Sequence, residues 1–302
     1  MFIIHSLKVL IVVFIILYVI GLLNKPYSVY SNDQSNKNPF EGKTVEFIYD
    51  DSDDENADGS RGHLIITGNS SYKPSFYEKY TKRFIDILLS FLGIVLLSPL
   101  LLILCVALYI DDPGPILFTQ KRVGRNKQFF RLHKFRSMKM STPHDVPTHM
   151  LENPEQYITK VGKFIRKTSL DELPQIWDIF IGNMSIIGPR PALWNQDVLT
   201  ALRDKYNANC LRPGLTGWAQ INGRDELELE DKAKLDGDYT KILNKGKVQA
   251  FIFDFKCFFG TILSVIKKEG VVEGRHGTKF YNPINPNDGK TTNSEDDYQI
   301  KE

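Results

Sequence analysis

The chain has 302 residues, 42% of them hydrophobic and 25% charged, with a net charge of +2. That composition can bury a core, and it excludes a wholly disordered chain, a collagen, a coiled coil and a disulfide scaffold. The three cysteines (Cys105, Cys210, Cys257) are odd in number and far apart, and His144 and His149 lack i, i+4 spacing. Both features argue against zinc, and the cysteines fit a reducing compartment.

The first element in the chain is apolar. Val9 to Leu23 runs between Lys8 and the pair Lys25-Pro26. As a helix it reaches ~22 Å, short of a ~30 Å hydrocarbon core unless Phe2-Ile3-Ile4 extend it. A signal peptide has the same shape, but no small-x-small cleavage site follows Leu23. Residues 1–24 are therefore read as an uncleaved membrane anchor. Residues 25–79 read as a polar acidic linker, since positions 50–58 carry six acids and no base. Short strands fit at Thr44 to Tyr49 and at His63 to Thr67.

A second apolar run, Ile87 to Ile110, would span ~36 Å as a straight helix. Lys82 and Arg83 precede it, and Asp111 and Asp112 follow. Ser98-Pro99 falls at its midpoint. Proline removes one backbone hydrogen bond and clashes with the carbonyl four residues back. In lipid that carbonyl needs a partner, which Ser98 can supply. Both a kinked spanning helix and a re-entrant hairpin fit these residues.

The stretch Gln120 to Lys139 holds eight Lys or Arg and no acid. It reads as a contact for anionic headgroups on the cytoplasmic side, as a phosphate site, or as both. The alternation from Phe129 to Met138 predicts a strand or hairpin. No helix-turn-helix or aromatic-basic sheet pattern points to nucleic acid.

Residues 162–191 carry the chemistry (GKFIRKTSLDELPQIWDIFIGNMSIIGPRP). Ser169-x-x-Glu172 matches a capping box, but that register leaves Pro174 too deep in the helix. Taking Asp171 as the N-cap puts Pro174 where no intrahelical N–H is needed. Asp171 would then sit at a helix start, with the dipole lowering its pKa. Such a carboxylate near Arg166 and Lys167 suits either a cap or a nucleophile working on phosphate. Glu172 could hold a hard cation such as Mg²⁺. Gly188-Pro189-Arg190-Pro191 stiffens the chain around one arginine. Arg212 to Arg224 forms a Gly/Pro-punctuated loop of binding type. Further on, Phe251, Phe255, Phe258, Ile262 and Val265 or Ile266 share one helical face. They read as an interfacial helix or a core helix, with Asp254 at the edge of the face.

Five runs in order, KRFIDILLSFLGIVLLSPLLL, DDPGPILFTQKRVGR, FRLHKFRSM, TSLDELPQIWDIFIGNMSIIGPRP and RPGLTGWAQINGR, closely resemble the bacterial sugar transferases, the monotopic phosphoglycosyl transferases. The resemblance covers about Tyr80 to Gly274. It implies transfer of a sugar 1-phosphate from a nucleotide diphosphate sugar, usually a UDP-sugar, to polyprenol (undecaprenyl) phosphate. UMP is released, and this is the first membrane step of bacterial surface glycan assembly. It further implies Asp171 as a nucleophile forming a covalent phosphosugar and Glu172 as the Mg²⁺ residue. Lys134, Arg136, Arg166 and Arg190 become substrate-binding residues, with Asp254 as a secondary one. Ser98-Pro99 becomes the break of a re-entrant membrane helix over 84–110.

The expected fold is α+β and mostly helical. It is a monotopic membrane domain at 80–274 with helix-break-helix, amphipathic interfacial helices and a small β-hairpin, followed by a polar, disordered tail at 275–302. The expected place is the cytoplasmic face of the bacterial inner membrane, with the lipid bilayer as a partner and room for a homo-oligomer. The rival functions are a one-step transferase, in which Asp171 is a metal ligand or base, and a non-catalytic scaffold for glycan assembly.

Overall fold

The computed structural model of the chain describes residues 27–28, 37–49, 62–142, 154–223 and 227–267. The anchor at 1–24, the acidic run at 50–58 and the tail at 275–302 lie outside the described residues. So do Arg224 and the side chains of Val265 and Ile266.

The chain is mostly helical with small strand pairs. In order it forms β1 (Tyr27–Ser28), β2 (Lys43–Tyr49), β3 (Gly62–Asn69), α1 (Lys82–Asp111), β4 (Leu117–Val123), β5 (Phe129–Phe135), α2 (Lys160–Lys167) and α3 (Gln175–Ile181). There follow β6 (Ser185–Ile187), α4 (Asp197–Asp204), β7 (Gly214–Thr216), α5 (Trp218–Ile221), α6 (Leu229–Lys245) and α7 (Lys247–Lys267). Among the described residues the strands form three small sheets: β1-β4-β5, the antiparallel pair β2-β3 and the parallel pair β6-β7.

The helix α1 runs through Pro99 without interruption. Together with the turn before it, Tyr77–Asp111 is long and apolar enough to cross a membrane. The Ser98 hydroxyl donates to the Val95 carbonyl at 2.8 Å. That carbonyl is the one Pro99 leaves without its N–H, so the side chain repairs the defect that the proline makes.

One face of α1 packs on the rest of the domain along its whole length. At its start, Arg83 donates to the Ile179 and Phe180 carbonyls at the end of α3 (2.7 and 2.8 Å), and Asp86 accepts from the Ser185 hydroxyl and the Ile186 N–H. At its end, Asp111 accepts from the Val161 N–H and Asp112 from Arg136 and the Met140 N–H. Between them, Leu104, Cys105 and Leu108 bury against Ile116, Phe135 and Ile165. The opposite face, with Phe84, Leu96, Ile103 and Ile110, is exposed.

The polar linker expected at 25–79 needs correction. The strands expected at 44–49 and 63–67 exist as β2 and β3, and the hairpin is docked on the domain. Val45 is buried, and its N–H donates to Asp204 Oδ2 at 2.9 Å. Asn38 donates to the Lys127 carbonyl, and Gly42 N–H to that of Asn126. Composition averaged over the segment hid these contacts, because their partners lie far along the chain.

The basic stretch also turns inward more than its composition suggests. Lys127 is buried on Asp204, Arg125 reaches Glu78, Lys134 reaches Glu172, Arg136 reaches Asp112, and Arg122 donates to the Pro191 carbonyl. Of the expected alternation, Phe129–Phe135 is β5, paired in register with β4. On α7, Phe251, Phe255, Phe258 and Ile262 are exposed while Ala250 and Cys257 are buried. The aromatic face therefore does not serve a core.

Candidate active site

The dyad sits on a short 3-10 turn, Leu170–Glu172, between α2 and α3. Thr159 caps α2 by accepting from the Gly162 N–H at 2.9 Å. Ser169 then takes a left-handed conformation (φ 56°) and turns the chain. Leu170 and Leu173 pack against the core beneath α1, so apolar anchors flank the two acids on both sides.

This corrects the expected helix start at Asp171. The helix begins at Gln175, with Pro174 before it. Both registers satisfy Pro174, which is why the sequence did not separate them. The expected lowering of the Asp171 pKa is corrected as well. Burial raises it above the ordinary aspartate value, and Glu172 adds to the rise, while Lys134 and Arg166 pull it back. Desolvation outweighs the cations and the backbone together.

Glu172 is the hinge of the charge cluster. Its Oε1 accepts from Lys134 Nζ on β5 at 2.9 Å and from Arg190 Nη2 at 3.3 Å. The Arg190 side chain is 36% exposed and the Glu172 side chain 16%, so the pair lines an open surface.

Arg190 stands on a rigid loop. The Gly188 N–H donates to the Thr216 carbonyl, and the Gly214 N–H to that of Pro189, both at 2.8 Å. A Cβ on Gly214 would lie 2.1 Å from the Gly188 nitrogen, and one on Gly217 would lie 2.1 Å from the Gly188 oxygen. Only glycine permits this backbone contact. The GPRP and RPGLTGW runs are thus two halves of one device.

The expected residues divide. Asp171, Glu172, Lys134, Arg166 and Arg190 come together. Arg136 does not join them; it is 5% exposed and fixed on the Asp112 carboxylate and carbonyl, tying β5 to the end of α1. Asp254 belongs to a separate buried network. It accepts from Tyr77 (2.9 Å), Tyr239 (2.6 Å) and Lys82 (2.8 Å).

Three residues that bear on the site carry no mark in the sequence: Arg122, Asp178 and His133. Arg122 lies close enough to Arg190 and Glu172 to feel both; burial, then Arg190, lower its pKa to about 10. Asp178, fully buried, accepts from the His133 N–H and pairs with Nδ1 of that ring, which locks β5 beside α3. Arg122 was one of eight cations in a row. Asp178 and His133 lay inside motifs already noted, with nothing to single them out.

Three cations (Lys134, Arg166, Arg190) therefore face two carboxylates (Asp171, Glu172), with Arg122 behind Arg190. An excess of guanidinium and ammonium over carboxylate is an anion site, and the forked arginines suit phosphate. Among the described residues, no group of three or more His, Cys, Asp or Glu is arranged to hold a metal. Two adjacent carboxylates still fit Mg²⁺, which binds one or two protein carboxylates and takes the rest from substrate phosphates and water.

Comparison with known proteins gives a consistent picture. The family described as bacterial sugar transferase matches residues 77–268. The chain is 39% identical over 192 residues to the UDP-glucose:undecaprenyl-phosphate glucose-1-phosphate transferase of Escherichia coli, covering 61% of this chain and 40% of that protein. It is 37% identical to the galactosyl transferase CpsE of Streptococcus agalactiae, covering 59% and 41%. It is 33% identical to the uncharacterized sugar transferase EpsL of Bacillus subtilis, covering 65% of this chain and 93% of that one. The matched region thus spans about two fifths of the first two relatives and nearly all of the third.

Proposed function

The chain belongs to the bacterial sugar transferase family, and from that premise we propose that it is a phosphoglycosyl transferase. It moves a sugar 1-phosphate from a UDP-sugar to undecaprenyl phosphate, as the first membrane step of surface glycan assembly. The observation that carries this reading is the excess of cations around a half-buried carboxylate. An anion transferring to an anion needs charge neutralisation more than a strong base, and Lys134, Arg166 and Arg190 supply it at Asp171 and Glu172.

In the proposed reaction an Asp171 carboxylate oxygen attacks the phosphorus that bears the sugar. The bond from that phosphorus to the bridging oxygen breaks, and UMP leaves with the electron pair. An oxygen of undecaprenyl phosphate then attacks the same phosphorus, the Asp171 oxygen–phosphorus bond breaks, and the carboxylate returns. Burial leaves Asp171 poorly solvated and therefore a better nucleophile once ionised, while Lys134 and Arg166 keep ionisation within reach. Glu172, with Asp171, would hold Mg²⁺, which when bound offsets diphosphate charge.

The membrane arrangement follows from α1. Its 30 residues reach ~45 Å if straight, more than a ~30 Å hydrocarbon core. Both of its ends hydrogen-bond one domain, through Arg83 and Asp86 and through Asp111 and Asp112. A spanning helix would place those ends on opposite sides. The arrangement favours a re-entrant, monotopic helix with Ser98-Pro99 at its deepest point. The exposed aromatic face of α7 then lies at the headgroup level. Cationic residues on both flanks favour the cytoplasmic side.

The test is UMP release by the purified protein from a panel of UDP-sugars with undecaprenyl phosphate and Mg²⁺. Turnover with at least one sugar is expected; none with any sugar would overturn the reading. For topology, single cysteines at exposed Lys73 and Arg131 flank α1, and the three native cysteines are buried. Neither site should react with an impermeant reagent in intact cells; reaction at Lys73 alone would mean that α1 spans.

A further inference from the structure

Arg190 is held to Glu172 by a single 3.3 Å contact from a partly exposed side chain. A long side chain so exposed needs its backbone fixed if it is to meet a phosphate in one geometry. On the upstream side, Gly188 and Pro189 are fixed by β7. On the downstream side the hold comes from β4. The Val123 N–H donates to the Ala192 carbonyl at 2.9 Å, and Arg122 Nη1 donates to the Pro191 carbonyl, also at 2.9 Å. The other arms of that guanidinium are taken: Nε and Nη2 both donate to Gln120 Oε1, at 3.1 and 2.6 Å. Gln120 sits two residues back on the same strand, so the Arg122 fork is locked in plane and aimed at the carbonyl next to Arg190.

We propose that Arg122, braced by Gln120, is a positioning residue for the transfer, holding Arg190 at the dyad through the Pro191 carbonyl. This rests on the reading that Arg190 works on phosphate. The cost of the arrangement is a cation placed beside a cation, which a surface role does not require. Glu172 offsets part of it, and an arriving diphosphate offsets the rest. Lysine cannot replace Arg122 here, because one ammonium cannot bond Gln120 and the Pro191 carbonyl in a fixed plane.

The experiment is a double-mutant cycle on UMP release, with unfolding midpoints measured in detergent alongside. Arg190→Lys should lower kcat/KM about thirty-fold and Arg122→Lys about tenfold, with the same division between kcat and KM. In the double mutant the losses should not multiply; it should fall no more than about twofold below Arg190→Lys alone. Gln120→Met, which keeps the guanidinium and removes its brace, should lower kcat/KM about threefold and show the same non-additivity. It decides the matter if Arg122→Lys does not fold. Multiplying losses, or a normal Arg122→Lys beside an impaired Arg190→Lys, would overturn the positioning role alone. A normal Arg190→Lys would overturn the phosphate reading beneath it.

Discussion

The acid–base cluster around Asp254 and the one around Asp171 are built differently. Around Asp254 every acid has a matched donor. Tyr77, Tyr239 and Lys82 satisfy Asp254, Tyr72 and Arg125 satisfy Glu78, and Ser185 and the Ile186 N–H satisfy Asp86. Lys82 and Asp254 are both about nine-tenths buried. Around Asp171 the cations outnumber the acids, Arg190 reaches the surface, and the carboxyl is raised in pKa by burial. The first cluster is closed on itself and ties α1 to α6 and α7. Burial raises the Glu78 pKa as well, so the difference lies in access: the second cluster opens to the surface at Arg190, which is what a site for an anionic substrate requires.

The contrast is sharpest for the two aspartates. Asp171→Asn should cost at least about a thousandfold in turnover, or ~4 kcal/mol, and should raise the unfolding midpoint. The sign follows from the raised pKa. Above the ordinary aspartate range the unfolded chain ionises freely while the fold must bury the charge, so the ionised carboxyl costs stability there. The gain in the variant should vanish as pH falls below that range. Scanning calorimetry or a dye-based melt checks it, and a lower midpoint at neutral pH would contradict the burial argument. Asp254→Asn should do the reverse. It leaves Lys82 buried without its countercharge, costs about 3 kcal/mol of stability, and leaves kcat/KM per folded molecule unchanged. An active-site-like loss of kcat with a normal midpoint would move Asp254 into the transfer site.

A smaller effect separates fork from point charge. Arg190→Lys should lose about thirty-fold in kcat/KM, ~2 kcal/mol, where the paired Arg125→Lys beside Glu78 should lose none. Smallest is a shift in the acid limb of kcat/KM, where Asp171 must be ionised. Lys134→Gln removes the cation that does most to lower its pKa, so the limb should move to higher pH. Arg166→Gln should move it the same way by less. A limb that stays or moves down would remove Lys134 from the electrostatics of Asp171.

Local features of the fold were legible in the sequence. Ser98-Pro99 announced both the lost bond and its replacement, because donor and acceptor lie within one turn. The strands at Thr44 to Tyr49 and His63 to Thr67 fit short apolar stretches within the polar segment. Their docking was not legible, since Val45 meets Asp204 across 159 residues. The dyad and Arg190 stood out as motif residues. The sign of the Asp171 pKa shift is not legible locally, because the helix-start argument sees the backbone and not the desolvation that tertiary packing imposes. Arg136 carries a motif signal and Arg122 none, yet Arg122 braces the Arg190 loop and Arg136 the end of α1; their partners, Pro191 and Asp112, lie far along the chain.

The central claim is that Asp171 carries the phosphosugar. The direct measurement is peptide mass after incubating the purified protein with its UDP-sugar and no acceptor. A single phosphosugar mass on the peptide containing Asp171 is expected, absent from Asp171→Asn and discharged on adding undecaprenyl phosphate. UMP release that needs both substrates together, with no mass added to the protein, would contradict it and leave a one-step transfer.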